Sequence, residues 1–152
     1  MSRSLIALLL FASIALAQQA TISLTPAEQA FQTSMTNVTL TGYFTVGDGS
    51  ETRPDKYTVE KVEKIGDDLW SFDARIQYGT RDYRAKVKVP VKWAGDTPVI
   101  TLASYLIQGH GVYSARILIH NGQYAGTWGG AEGKGGKMFG NVVKNTTAPA
   151  NP

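Results

Sequence analysis

The chain reads as an all-β protein: an up-and-down antiparallel β-barrel of about eight strands, preceded by one short N-terminal helix. Three observations lead there. From Val38 onward, apolar and polar residues alternate with period two through run after run, as strands with one dry and one wet face do. One earlier segment alone carries a helical stripe. The connections alternate between short and long, as they do when successive turns of a meander fall at opposite ends of a barrel.

The first element is a targeting segment. Arg3 precedes an apolar run from Leu5 to Leu16, and Ala15-Leu16-Ala17 offers the small side chains that signal peptidase subsites require. The run is too short to cross a bilayer as a mature helix. Residues 1–17 are therefore expected to be a signal peptide cleaved after Ala17, and the protein to be secreted or periplasmic. Residues 18–35 hold the helix: Thr25 can cap, Pro26 suits the first turn, and Glu28 sits three after the cap. Ala27, Ala30, Phe31 and Met35 form one apolar stripe, which predicts a helix over 26–34 that docks on the short-turn end and plugs it.

The barrel domain spans 36–144. Val38, Leu40, Gly42, Phe44 and Val46 share a face, then Trp70, Phe72, Ala74, Ile76 and Tyr78, then Tyr83, Ala85, Val87, Val89, Val91 and Trp93. Tyr113, Ala115, Ile117 and Ile119 form a further face, continued by Tyr124, Gly126 and Trp128. Less regular strands are expected near 56–65, 97–105 and 137–144, with a bulge where Val59 to Val62 break the alternation. Asn121-Gly122, both tolerant of positive φ, predicts a two-residue hairpin pairing Ile119 with Tyr124, Ile117 with Gly126 and Ala115 with Trp128. A four-residue turn at 79–82 would pair Tyr78 with Tyr83, Phe72 with Val89 and Asp73 with Lys88. Turns 66–68, 94–96 and 121–122 fall at one end, and loops 47–55, 79–82, 106–111 and 129–136 frame the other. Residues 145–152 read as a disordered tail.

Composition narrows the chemistry. At 152 residues the chain is one small domain, and without a cysteine it must hold together by core burial. After Ala17 there are 14 basic and 12 acidic residues; the part before Ala74 is net −5 and the part from Ala74 onward is net +7. Residues 126–140, GTWGGAEGKGGKMFG, hold seven glycines, yet neither lysine completes a P-loop spacing and no dinucleotide fingerprint fits. A hairpin loop is expected there. His110 and His120 fall at opposite ends, so no two-histidine metal site is expected, and no cofactor. No serine–histidine pair, cysteine or paired inward carboxylate points to an enzyme. Arg84, Lys86, Lys88 and Lys92 line the outer face of one strand; lysines there commonly prevent mispairing, and the other reading is contact with an anionic polymer or membrane surface.

The aromatic residues carry the main functional expectation. Tyr57, Tyr78, Tyr83, Tyr105 and Tyr113 collect on the inward face at the long-loop end, with Trp128 nearby. Beneath them lies a belt of small residues, Gly42, Ala74, Ala85, Ala115, Gly126 and Gly140. That pattern suits a ligand cavity with a polar-tipped mouth, and it equally suits a filled barrel in which small residues face large ones. The first reading expects non-covalent binding of a partly apolar or aromatic small molecule, stacked on the tyrosines and Trp128 and oriented by Arg53 or His110 from the long loops. The second is a surface or interaction module with a filled interior.

The architecture resembles the calycin-like barrels: lipocalins, avidins and nitrobindin-type proteins. Gly126-Thr127-Trp128 is similar to their Gly-x-Trp signature, although theirs lies on the first strand and this one on the seventh. The resemblance covers roughly 36–144 and implies a ligand-binding barrel, with none of the family's biotin or haem contacts carried over.

Overall fold

A computed structural model describes residues 22–146; the signal peptide read at 1–17 and the tail beyond 146 lie outside the described residues. Helix α1 spans Pro26–Met35. Eight strands follow: β1 (Val38–Thr45), β2 (Thr52–Lys64), β3 (Leu69–Tyr78), β4 (Arg81–Ala94), β5 (Thr97–Ile107), β6 (Gly111–His120), β7 (Gln123–Gly129) and β8 (Gly135–Lys144). Each pairs antiparallel with the next, and β8 returns to β1 to close the barrel.

The helix starts where its residues require. Thr25 Oγ1 accepts from the Glu28 amide at 3.3 Å, and a Glu28 carboxylate oxygen accepts from the Thr25 amide at 2.9 Å. Its docking face differs from the expected stripe: Ala27 and Ala30 are exposed, while Glu28, Phe31 and Met35 are buried. The cause is an ion pair between Glu28 and Lys64 at 2.7 Å, with both side chains 11% exposed, which turns Glu28 toward the barrel. Phe31 then packs edge-on against Trp70 at 5.2 Å and Trp93 at 6.0 Å, closing the short-turn end. Met35 beside it is 1% exposed.

The Asn121-Gly122 hairpin has the expected register, Ile119 opposite Tyr124, Ile117 opposite Gly126 and Ala115 opposite Trp128. Both turn residues take positive φ, 48° and 71°. The bulge lies between Val59 and Lys61. Two expectations are corrected. The β3–β4 turn is Gly79-Thr80 alone, so Tyr78 faces Arg81, Ile76 faces Tyr83, Phe72 faces Val87 and Asp73 faces Lys86. The shift is two residues, which leaves every side chain on its expected face. Strand β2 begins at Thr52 rather than near 56, because Pro54 sits where β2 pairs with β1 alone and its missing N–H breaks no ladder.

One seam of the barrel is partly unzipped. The β4–β5 ladder comprises four residue pairs, Val91–Ala94 with Ile100–Thr97. Above it, the Lys88 amide donates to the Tyr105 hydroxyl at 3.0 Å, so Lys88 N–H points toward β5. Alternate residues point the same way, which puts Pro90 at the next position that would have donated to β5. On the other side β5 is kinked by a bulge between Leu102 and Tyr105, with Ser104 at φ 49°.

Candidate functional site

The interior is organised by one row of residues running across the strands. Tyr124 on β7 pairs with Gly140 on β8, Gly140 with Gly42 on β1, Gly42 with Asp55 on β2, and Asp55 with Tyr78 on β3. Strand tilt makes this row climb from the short-turn end toward the mouth. The two glycines leave a trough for the Tyr124 ring: a Cβ on Gly42 would sit 2.5 Å from its hydroxyl, and one on Gly140 2.6 Å from a ring carbon. Through that trough the buried Tyr124 hydroxyl donates to Asp55 at 2.6 Å. Tyr57, two residues along β2, donates to the other carboxylate oxygen at 3.1 Å.

Asp55 is the residue that sequence reasoning missed. It is 3% exposed, inside the barrel. Its signal was present, since Arg53, Asp55, Tyr57 and Val59 alternate, but an aspartate beside a proline reads as loop. Burial raises its carboxyl above the ordinary value, opposed by the hydrogen bonds from Tyr124 and Tyr57. Burial also pushes both phenols upward, reinforced by the adjacent carboxylate. The unit is a carboxylate held by two phenols that stay protonated. It positions Tyr57.

Tyr57 forms part of the wall of a cavity of about 200 Å³ inside the barrel. Phe44, Phe72, Ile76, Val89, Ile117 and Met138 form much of that wall, and Met35 of α1 belongs to it as well. The expected small belt divides between the two sequence readings. At Gly42 and Gly140 a large ring fills the gap, whereas Ala74 and Ala115 border empty space. Trp128 borders it too, with Nε1 donating to the Thr45 carbonyl at 3.0 Å and its ring edge-on to Phe44 at 5.8 Å. Residues 126–140 form the end of a hairpin, β7 to β8, in which Gly136 lies opposite Trp128.

Tyrosines gather at the long-loop end. Tyr78, Tyr83 and Tyr113 all border the cavity. Tyr78 donates to Tyr113 at 3.1 Å, because Tyr113 gives its own proton to the His110 carbonyl at 2.9 Å. The His110 ring stacks on Tyr83 at 3.5 Å between centroids, bridging β4 and the β5–β6 loop above the unzipped seam. Its Nδ1 is buried without a hydrogen-bond partner among the described residues. Burial raises all three phenols, while the Arg81 guanidinium acts in the opposite sense on each.

The remaining expected site residues lie elsewhere. Tyr105 does not border the cavity; the kink in β5 carries it to the seam, where its hydroxyl accepts the Lys88 amide. Arg53 is on β2 rather than in a loop, 53% exposed and ion-paired with Glu51 at 3.4 Å. His110 covers the mouth without bordering the cavity. On the outer face Arg84 pairs with Glu60 at 2.5 Å, Lys86 with Asp73 at 3.1 Å, and Lys92 with Asp68. Among the described residues no group of three metal-ligating side chains occurs, and no helix is long and apolar enough to cross a membrane. Comparison of the chain with protein-family models, curated proteins and solved structures returns no match.

Proposed function

We propose that the protein is an exported carrier or sensor that binds a small, partly aromatic molecule non-covalently inside its barrel. The observation that carries this reading is the cavity of about 200 Å³, bordered by aromatic and aliphatic side chains with the rings of Tyr78, Tyr83 and Tyr113 at one end. Empty apolar cavities of about 150 Å³ accept benzene, so this one suits a single ring with a short chain. Phe44, Trp128 and Tyr78 already meet edge to face at 5.8 and 6.1 Å, an arrangement into which a further ring fits. The closed eight-stranded meander is also the architecture of the calycin-like barrels, which lends the reading support at the level of fold alone. The alternative, a basic surface for anionic polymers, has weaker support because Arg84 and Lys86 are both engaged by carboxylates.

The test is isothermal titration with benzyl alcohol, 2-phenylethanol, 3-phenylpropanol and 4-phenylbutanol. Affinity is expected to rise about fourfold per added methylene until the cavity is full. Absence of saturable heat across the whole series overturns the reading.

A further inference from the structure

We infer that the ligand carries an anionic head, held outside the tyrosine layer by Arg81, so that the natural ligand is a small aromatic monocarboxylate or an equivalent anion. The inference rests on the proposed binding role and adds the charge of the ligand to it.

Arg81 opens β4 immediately after the Gly79-Thr80 turn, directly opposite Tyr78. Its guanidinium carbon lies 6.0 Å from the centre of the Tyr78 ring, one of the rings at the cavity mouth. Its positive charge also acts on Tyr83 and Tyr113, working to lower the pKa of each phenol as it does that of Tyr78. The adjacent Asp82 is taken: its carboxylate accepts from two guanidinium nitrogens of Arg75 at 2.7 and 2.6 Å and from Gln77 at 3.1 Å. Arg81 itself forms no ion pair among the described residues. A cation with five donors thus stands at the rim of an apolar chamber with no carboxylate assigned to it.

The polar groups of the mouth match an acceptor better than a donor. The Tyr78 and Tyr113 protons are already committed along the chain to the His110 carbonyl, and the guanidinium beside the Tyr78 ring is the charged donor at this end. A carboxylate can accept two parallel N–H bonds from it, whereas a hydroxyl cannot. The size of the cavity keeps the tail short, and the aromatic wall favours a ring in it.

The experiment compares 4-phenylbutyrate with 4-phenylbutanol, two probes of nearly equal shape that differ in charge. Both are titrated calorimetrically at ~pH 8, where the acid is ionised, and at low salt. Wild-type protein is expected to bind the carboxylate about five to ten times more tightly than the alcohol. Arg81→Gln is expected to erase that preference, leave alcohol affinity unchanged and leave the melting temperature unchanged, because the side chain is exposed. Added salt should weaken the carboxylate alone. If the two probes bind equally, or the preference survives in Arg81→Gln, the anionic head is wrong while the binding cavity stands. If neither probe binds, both the head and the cavity reading fall.

Discussion

Tyr124 reaches Asp55 across two intervening strands because Gly42 and Gly140 put no side chain beneath its ring. A carboxylate in a barrel interior is costly without donors, and the two phenols supply them. Removing one donor should be felt by the other members of the unit. Tyr124→Phe keeps the ring and loses the hydroxyl, so it is expected to cost about 2 kcal/mol and to raise the Asp55 pKa further. In an Asp55→Asn background that cost should shrink, and a double-mutant cycle by urea denaturation reads the difference. The pH dependence follows from the sign of the Asp55 shift. Because its folded pKa lies above the ordinary 3.8, the unfolded chain releases this proton first, and stability falls as pH rises from there until the folded carboxyl ionises. Asp55→Asn should abolish that fall; parallel stability–pH curves for variant and wild type would refute the assignment. Glu28 has the opposite sign: burial raises its pKa, but the Lys64 ammonium and the Thr25 cap outweigh it. Its contribution is present above 4.5 and is lost as pH falls through the lowered folded value.

Strand β4 shows how a single imino acid shapes an element. Pro90 stands at the position that would carry the next donor to β5, and the bulge at Leu102–Tyr105 bends β5 on the other side. The upper half of β4 is therefore held by β3 on one edge, with Tyr105 and the Tyr83–His110 stack spanning the seam on the other. Amide hydrogen exchange should resolve this residue by residue. Tyr83, Ala85 and Val87 direct their N–H groups to β3 and should be protected, whereas Arg84 and Lys86 direct theirs to the seam and should exchange much faster. Uniform protection along 83–87 would mean that the ladder is intact in solution.

For the molecule as a whole, the cavity is a deficit of packing that the rest of the core must carry. The helix plug, the ring trough and the closed ladder fill the lower barrel, and the empty volume lies above them, bordered by Ala74 and Ala115. Ala115→Leu should fill part of it, raising stability by about 1 kcal/mol in thermal denaturation while weakening phenylalkanol binding at least tenfold. A destabilised variant that still binds would show that Ala115 does not face the chamber.

Period-two alternation, the cap at Thr25 and the Asn121-Gly122 turn were each enough to specify a strand face, a helix start and a register, since each acts within a few residues along the chain. The same alternation is blind to a shift of two, which is why it could not separate a two-residue turn at 79–80 from a four-residue one. It put Asp55 in one row with Arg53, Tyr57 and Val59 without showing that β2 extends that far, and it was silent on Arg81, which the shorter turn swings to the rim beside Tyr78. Contacts of that kind join residues far apart in sequence, such as Tyr124 with Asp55. They come into being when the sheet closes, because closure sets which rows meet across the barrel and where the side chains fail to fill it.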